Sequence, residues 1–117
     1  METTISKAIG GWDAQTSLAL DMPTRVDECK RSIRPVLEIR SYSRKGQIKI
    51  TASVLWYGEG FKTFVVFQDF VRHLLPVSCK RCTESAIRAA HDEALLQIET
   101  LKAAALTHYA KEDQAAA

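Results

Sequence analysis

The chain has 117 residues, of which 46% are apolar and 26% charged, the size and balance of one ordinary globular domain, which exclude a multidomain enzyme and a disordered chain. No apolar run approaches the roughly 20 residues of a membrane-spanning helix, and no basic start followed by an apolar block marks a secretory signal. The net charge is only +2, but eight Lys and Arg stand against three acids in residues 22–50. We therefore expect a single cytoplasmic domain over residues 1–117 with a basic central region.

The N-terminal third predicts an irregular arm followed by a short helix. Residues 1–21 show no sustained period of apolar residues and are typical of an arm. Thr24 followed by Asp27 and Glu28 matches an N-cap hydroxyl with acids in the first helical turn, where they oppose the helix dipole. We predict a helix over residues 24–33.

Three strand-like segments follow, over residues 36–43, 47–57 and 61–69. In the second, apolar and polar residues alternate strictly, which is the clearest period of two in the chain. Short turns containing glycine separate the segments, and such turns join antiparallel strands. The sequence therefore predicts an antiparallel meander of three strands over residues 36–69.

A long helix is predicted over residues 83–110, because this segment has a broad apolar stripe and contains neither Gly nor Pro. Residues 111–117 are predicted to be a tail. A helix of this length measures about 40 Å and would overhang a strand of eight residues, which spans about 26 Å. Its distal end then either frays or meets another chain. The candidate residues for a partner or dimer interface are Leu101, Ala105, Leu106 and Tyr109.

The predicted fold class is α+β, with the order α-β-β-β-α. In this fold the three-stranded antiparallel meander packs against the long C-terminal helix and the short N-terminal helix.

The thiols carry the sharpest local pattern, Cys79-Lys80-Arg81-Cys82. This spacing suits half of a zinc site or a redox pair at a helix start. The chain has three cysteines and no second closely spaced ligand pair. No phosphate loop, nucleophile elbow or paired-histidine zinc motif is present. We therefore expect no enzyme, no metal and no cofactor.

Basic and aromatic residues form the stronger functional pattern. If the apolar side of the meander faces the helices, the pleat sends Arg40, Tyr42 and Lys49 to the opposite face. Aromatic rings there can stack on unpaired bases while cations hold phosphates. In the alternative arrangement, residues 1–20 cover this face. The candidate nucleic-acid-binding residues are Lys30, Arg31, Arg34, Arg40, Tyr42, Arg44, Lys45, Lys49 and Tyr57.

The first functional hypothesis is a small non-enzymatic protein that binds single-stranded or structured nucleic acid. The alternative is a protein-interaction module, an adaptor or inhibitor that docks on a larger protein such as a nucleic-acid enzyme. A homodimer through the C-terminal helix is a further form of this alternative.

The predicted order of elements over residues 24–100 resembles the double-stranded RNA-binding domain. That family places a basic cluster at the start of its last helix, near which Lys80, Arg81 and Arg88 lie in this sequence. The chain lacks the family's Gly-Pro-x-His turn and its Lys-Lys-x-x-x-Lys helix start, so the resemblance is one of topology. It implies binding to RNA.

Overall fold

The computed structural model describes residues 2–116, which form one six-stranded antiparallel sheet followed by two helices. The elements are β1 Thr3–Ala8, β2 Gly11–Ala19, β3 Arg25–Val26, β4 Ser32–Arg44, β5 Gln47–Gly58, β6 Phe64–Ser78, α1 Glu84–Leu95 and α2 Ile98–Ala116. The strand order is β1-β2-β4-β5-β6, and the short β3 pairs with the start of β4. Neither helix combines the length and apolar composition that crossing a bilayer requires.

The predicted three-stranded meander with an N-terminal helix, in the order α-β-β-β-α, is therefore wrong. The topological resemblance to the double-stranded RNA-binding domain depended on that order and is therefore also wrong.

The irregular arm predicted over residues 1–21 is wrong because β1 and β2 form a hairpin that adds two strands to the sheet. Gly10 in the connecting turn has φ +81°, a conformation that glycine adopts without a steric penalty. The hydroxyls of Thr3 and Thr16 hydrogen-bond across the two strands at 2.7 Å. β1 is an edge strand with mostly exposed side chains, so its sequence carries little of the apolar alternation that identifies a strand. Residues 1 and 117, the ends of the predicted arm and tail, lie outside the described residues.

The helix predicted over residues 24–33 is also wrong. Arg25 and Val26 pair with β4, and the chain then reverses. The Asp27 carboxylate accepts hydrogen bonds from the backbone N–H groups of Cys29 at 3.0 Å and Arg31 at 2.8 Å, and the bond from the Arg31 backbone lowers the pKa of Asp27. A short acidic side chain that bonds its own backbone in this way competes with helix formation. Asp27, which was predicted to lie in the first turn of a helix, therefore stabilises a chain reversal instead.

β4 and β5 cover the strands predicted over residues 36–43 and 47–57, but β4 begins earlier, at Ser32. Lys45 and Gly46 join β4 to β5, with φ values of 45° and 77°, as a two-residue hairpin turn of the primed type requires. The third strand, β6, ends at Ser78 rather than at residue 69. It places 15 residues opposite the 12 of β5, and three register shifts absorb the difference.

Two helices replace the single helix predicted over residues 83–110. Between them the backbone N–H of Leu96 donates to the Glu93 carbonyl at 3.2 Å, and that of Gln97 to the Ala94 carbonyl at 3.0 Å. This three-residue spacing tightens the chain into a turn of the 3₁₀ type. The predicted tail over residues 111–117 is helical as far as Ala116.

Both helices pack on one face of the sheet, which we call the inner face. In α1, His91 is fully buried and hydrogen-bonds Thr16 of β2 and Ser41 of β4. In α2, Tyr109 meets Trp56 of β5 edge to face at 5.5 Å between ring centroids. The main apolar residues of this core are Leu37, Ile39, Ile48, Ile50, Val54, Trp56, Ile87, Leu101 and Ala105.

Candidate nucleic-acid interface

The opposite side of the sheet, which we call the outer face, carries the residues that alternate with the core along β4 and β5. The register places Arg40 beside Thr51 and Tyr42 beside Lys49, so these side chains share one face. The N-terminal hairpin does not cover this face, because it lies in the sheet itself. Within residues 2–116, both helices are on the inner side, which leaves the outer face open.

Arg40 is committed to a partner within the chain. Its Nε and Nη2 atoms donate to Asp13 Oδ2 at 2.9 and 2.5 Å, and the Asp13 residue is only 7% exposed. The hydrogen bond to Asp13 raises the pKa of Arg40. The guanidinium also lies 4.9 Å from the ring centroid of Tyr42. Arg40 therefore positions Tyr42 and brings little free positive charge to the outer face.

Four of the predicted residues lie at the far end of the outer face. Arg31 binds the Asp27 carboxylate at 2.8 Å, Arg34 lies 3.5 Å from Glu59, and Tyr57 pairs with Arg34 in the register. Lys30 occupies the turn before β4 with φ 62°. Ten residues separate Arg34 from Arg44, which is about 33 Å along a strand. Seven of the nine predicted residues therefore fall into two groups at opposite ends of the face, and Arg40 and Tyr42 lie between these groups on β4.

The remaining predicted cations gather at the other end of the sheet, where β4 turns into β5. Arg44, Lys45 and Lys49 lie on or beside this turn. The backbone N–H of Cys79 donates to the Gly46 carbonyl at 3.0 Å, which brings the loop after β6 to the same turn. That loop adds two cations. We call the resulting set the basic end: Arg44, Lys45, Lys49, Lys80 and Arg81.

No cation of the basic end forms a salt bridge with a described acidic residue. The nearest acid along the chain, Glu84, is paired with Arg88 on α1 at 3.7 Å. Lys80 and Arg81 are not among the nine predicted binding residues, and the sequence singles them out only through the resemblance to the double-stranded RNA-binding domain. Like-charged groups without counter-charges produce a local positive potential even in a nearly neutral protein.

Glu38 is an acidic residue on the outer face, and its charge opposes the binding of an anion there. It lies between the two groups of cations and pairs with Ser17 and Ser53 in the register. Burial raises the pKa of Glu38, while the positive charge of Arg40 acts in the opposite direction. The carboxylate nevertheless contributes a negative charge at neutral pH on the way from one end of the face to the other.

The thiols of Cys79 and Cys82, which flank Lys80 and Arg81 of the basic end, are close to each other. The hydrogen bond with Cys82, assisted by burial, raises the pKa of Cys79 to about 11, so Cys79 is protonated at neutral pH. A thiol is a poorer nucleophile and metal ligand than a thiolate. Among the described residues, no third ligand for a metal lies within reach of this pair.

Three of the four predicted interface residues on α2 are already used inside the chain. Leu101, Ala105 and Tyr109 are 8%, 0% and 1% exposed, because the inner face of the sheet covers them. Leu106 alone is partly exposed. In this fold the predicted surface is therefore reduced to one side chain.

Comparison of the chain with protein-family models, with curated proteins and with solved structures finds no match.

Proposed function

We propose that this protein is a small non-enzymatic nucleic-acid-binding protein, and that the basic end is where the phosphates bind. The observation that carries the proposal is the set of five cations, none of them in a salt bridge with a described acid, that residues 44–49 and residues 80–81 bring to one end of the sheet. Backbone phosphates supply most of the affinity in non-specific nucleic-acid binding. The proposal includes a cytoplasmic location, where both thiols of the basic end stay reduced.

Single-stranded nucleic acid suits this surface best. Tyr42 is half-buried on the outer face beside Lys49, and one of its ring faces is held by Arg40. A base stacked on such a ring gains about 1–3 kcal/mol, with little dependence on its identity. Stacking requires unpaired bases, so a single strand can contact Tyr42 and the basic end together whereas a duplex contacts only the cations.

The test is a fluorescence anisotropy titration of labelled single-stranded oligonucleotides at several salt concentrations. The variant is Arg44→Gln, Lys49→Gln and Lys80→Gln combined; Lys45 is left unchanged because of its strained turn conformation, with φ 45°. Three lost contacts should reduce the slope of log K against log salt by about 2, since each contributes about 0.7 on a single strand. The matched control removes the same charge elsewhere, at Lys62, Lys102 and Lys111.

Equal weakening of binding by the variant and by the control would contradict the proposed site. Absence of binding by the unmodified protein at low salt would contradict the proposed function. Tyr42→Ala against Tyr42→Phe separates stacking from charge: only the alanine variant should lose affinity, and the salt slope should remain the same.

A second candidate function, self-association, is favoured by the apolar side chains of β6. Six exposed large apolar residues lie on this edge strand: Phe64, Val65, Phe67, Val71, Leu75 and Val77. Exposed apolar side chains concentrated on one strand are a feature of interfaces. The three bulges and Pro76 disfavour backbone pairing with a further strand, so the contact would be made by side chains of a second copy. Light scattering that shows a dimer, and a monomer for Leu75→Asp, would support this candidate; a monomeric unmodified protein would remove it.

A further inference from the structure

On the inner side of the molecule, one carboxylate of β6 meets two ligand-type side chains of α2. Asp69, His108 and Glu112 each place a potential metal-ligating atom within 4.8 Å of those of the other two. His108 and Glu112 are one helical turn apart, and their Nε2 and Oε2 atoms lie 3.8 Å from each other. No other group of three such ligands occurs in the part of the chain that the structure describes.

The Asp69 carboxylate is held in place by aromatic residues. Its Oδ1 atom accepts a hydrogen bond from Trp56 Nε1 at 3.0 Å and another from the Tyr109 hydroxyl. No described side chain donates to Oδ2, which leaves this oxygen available to a cation. Hydrogen bonds that orient one oxygen of a ligating carboxylate are the usual outer-shell support of a metal site.

The local backbone also serves this arrangement. One register shift of β6 falls between the pairs Val54–Asp69 and Ala52–Arg72, and Phe70 inside it has φ 47°. Bulges re-aim side chains, and a bulky residue with positive φ carries strain that the surrounding structure must offset. The irregularity lies directly beside Asp69. The buried Phe70 ring packs against the His108 ring at 5.5 Å between centroids.

We infer that Asp69, His108 and Glu112 form a binding site for a divalent transition metal of the Zn²⁺ class. Two carboxylates and one imidazole are ligands that Zn²⁺ accepts, and an imidazole disfavours Mg²⁺ and Ca²⁺. Ligands of a tetrahedral Zn²⁺ are roughly 3.4 Å apart, given bonds of about 2.0–2.2 Å, so the atoms must approach by up to about 1.4 Å. The side chains of His108 and Glu112 are 37% and 52% exposed, and rotation about their χ angles provides this movement.

The charge balance of the site permits a cation. Two carboxylates contribute two negative charges when the imidazole is neutral. Arg72 lies over the Phe70 ring at 4.6 Å, and Arg25 lies over the rings of Trp56 and Tyr109 at 5.1 and 5.2 Å. The charge of Arg25 is offset by a salt bridge to Asp113 at 2.8 Å. A bound ion would join the second half of α2 to β6.

The experiment is a Zn²⁺ titration by isothermal calorimetry of the full chain carrying Cys29→Ser, Cys79→Ser and Cys82→Ser, which removes all three thiols as competing ligands. We expect one Zn²⁺ per chain, no competition by excess Mg²⁺, and a loss of affinity of about 10-fold or more in His108→Gln and in Glu112→Gln. The matched control is His73→Gln, an exposed histidine outside the site, which should bind Zn²⁺ unchanged.

A second measurement avoids the cysteine substitutions. Co²⁺ added to the unmodified protein should give ligand-field bands without thiolate charge transfer, and His108→Gln should abolish them while circular dichroism remains the same. Failure to bind Zn²⁺, or equal loss of affinity in the variants of His108 and His73, would overturn the inference. Neither experiment involves nucleic acid, so the outcome is independent of the proposed function.

Discussion

At the scale of single residues, His91 is buried and held by hydrogen bonds at both ring nitrogens. It is 0% exposed, and its two ring nitrogens bond the hydroxyls of Thr16 and Ser41, each at 2.7 Å. His91→Ala would leave a cavity and would deprive the buried Ser41 hydroxyl of its partner, while the Thr16 hydroxyl would keep its bond to Thr3. We expect the free energy of unfolding to fall by about 2–4 kcal/mol, measured by urea denaturation. His73→Ala, on the exposed part of β6, should change it by less than about 0.5 kcal/mol.

The same histidine makes stability depend on pH. Burial lowers the pKa of His91 below its usual 6.5, so near that pH the unfolded chain binds a proton that the folded chain does not. The contribution is therefore fully present above pH 6.5 and is lost as the pH falls toward the folded pKa. Urea midpoints measured from pH 7.5 downward should decrease below pH 6.5. A decrease of equal size in His91→Gln would contradict this assignment.

At the scale of elements, the start of α1 has a side-chain cap. Thr83 Oγ1 accepts the backbone N–H of Ala86 at 3.1 Å, which satisfies one of the free donors at the helix start. Thr83→Ala should lower the free energy of unfolding by about 1 kcal/mol, while Thr83→Ser should retain most of it. Thermal and urea denaturation of the pair provide the comparison. A serine variant as unstable as the alanine variant would show that the methyl group, and not the hydroxyl, stabilises this position.

The elements also show how far the sequence allowed the fold to be predicted. The strand over residues 47–57 was predictable because β5 is an interior strand of the sheet with one face on the core, and this produces a strict alternation. β1 and β6 are edge strands, and their alternation is lost to exposure in one and to three bulges in the other. The sequence around Asp27 resembles a helix start because an acidic side chain can accept backbone N–H groups both in a turn and in the first turn of a helix. The break at Leu96 and Gln97 contains neither Gly nor Pro and had no local signal.

At the scale of the whole molecule, the basic region could be predicted from the sequence but its pairing could not. Arg31 binds Asp27 within a local turn, whereas Arg34 and Arg40 bind acids that only the tertiary fold brings to them, in one case from 27 residues away. Lys80 and Arg81 join Arg44 by a backbone contact between two loops, which no local pattern encodes. The distribution of charged residues along the sequence therefore predicts a basic region, whereas the pairing of each cation with an acid depends on the tertiary structure.

Glu38 links the stability of the molecule to its proposed function. Its raised pKa means that the charged form destabilises the folded state at neutral pH, and this cost disappears as the pH falls below the unfolded value of 4.5. Glu38→Gln should therefore raise the urea midpoint at pH 7 and leave it unchanged at pH 4. The same variant removes a negative charge from the outer face, so single-stranded oligonucleotides should bind roughly twofold more tightly at low salt, as expected for charges about 10 Å apart in water. Glu99→Gln on α2 is the matched control. If both variants change affinity equally, the nucleic acid does not lie on the outer face, since only Glu38 faces that surface.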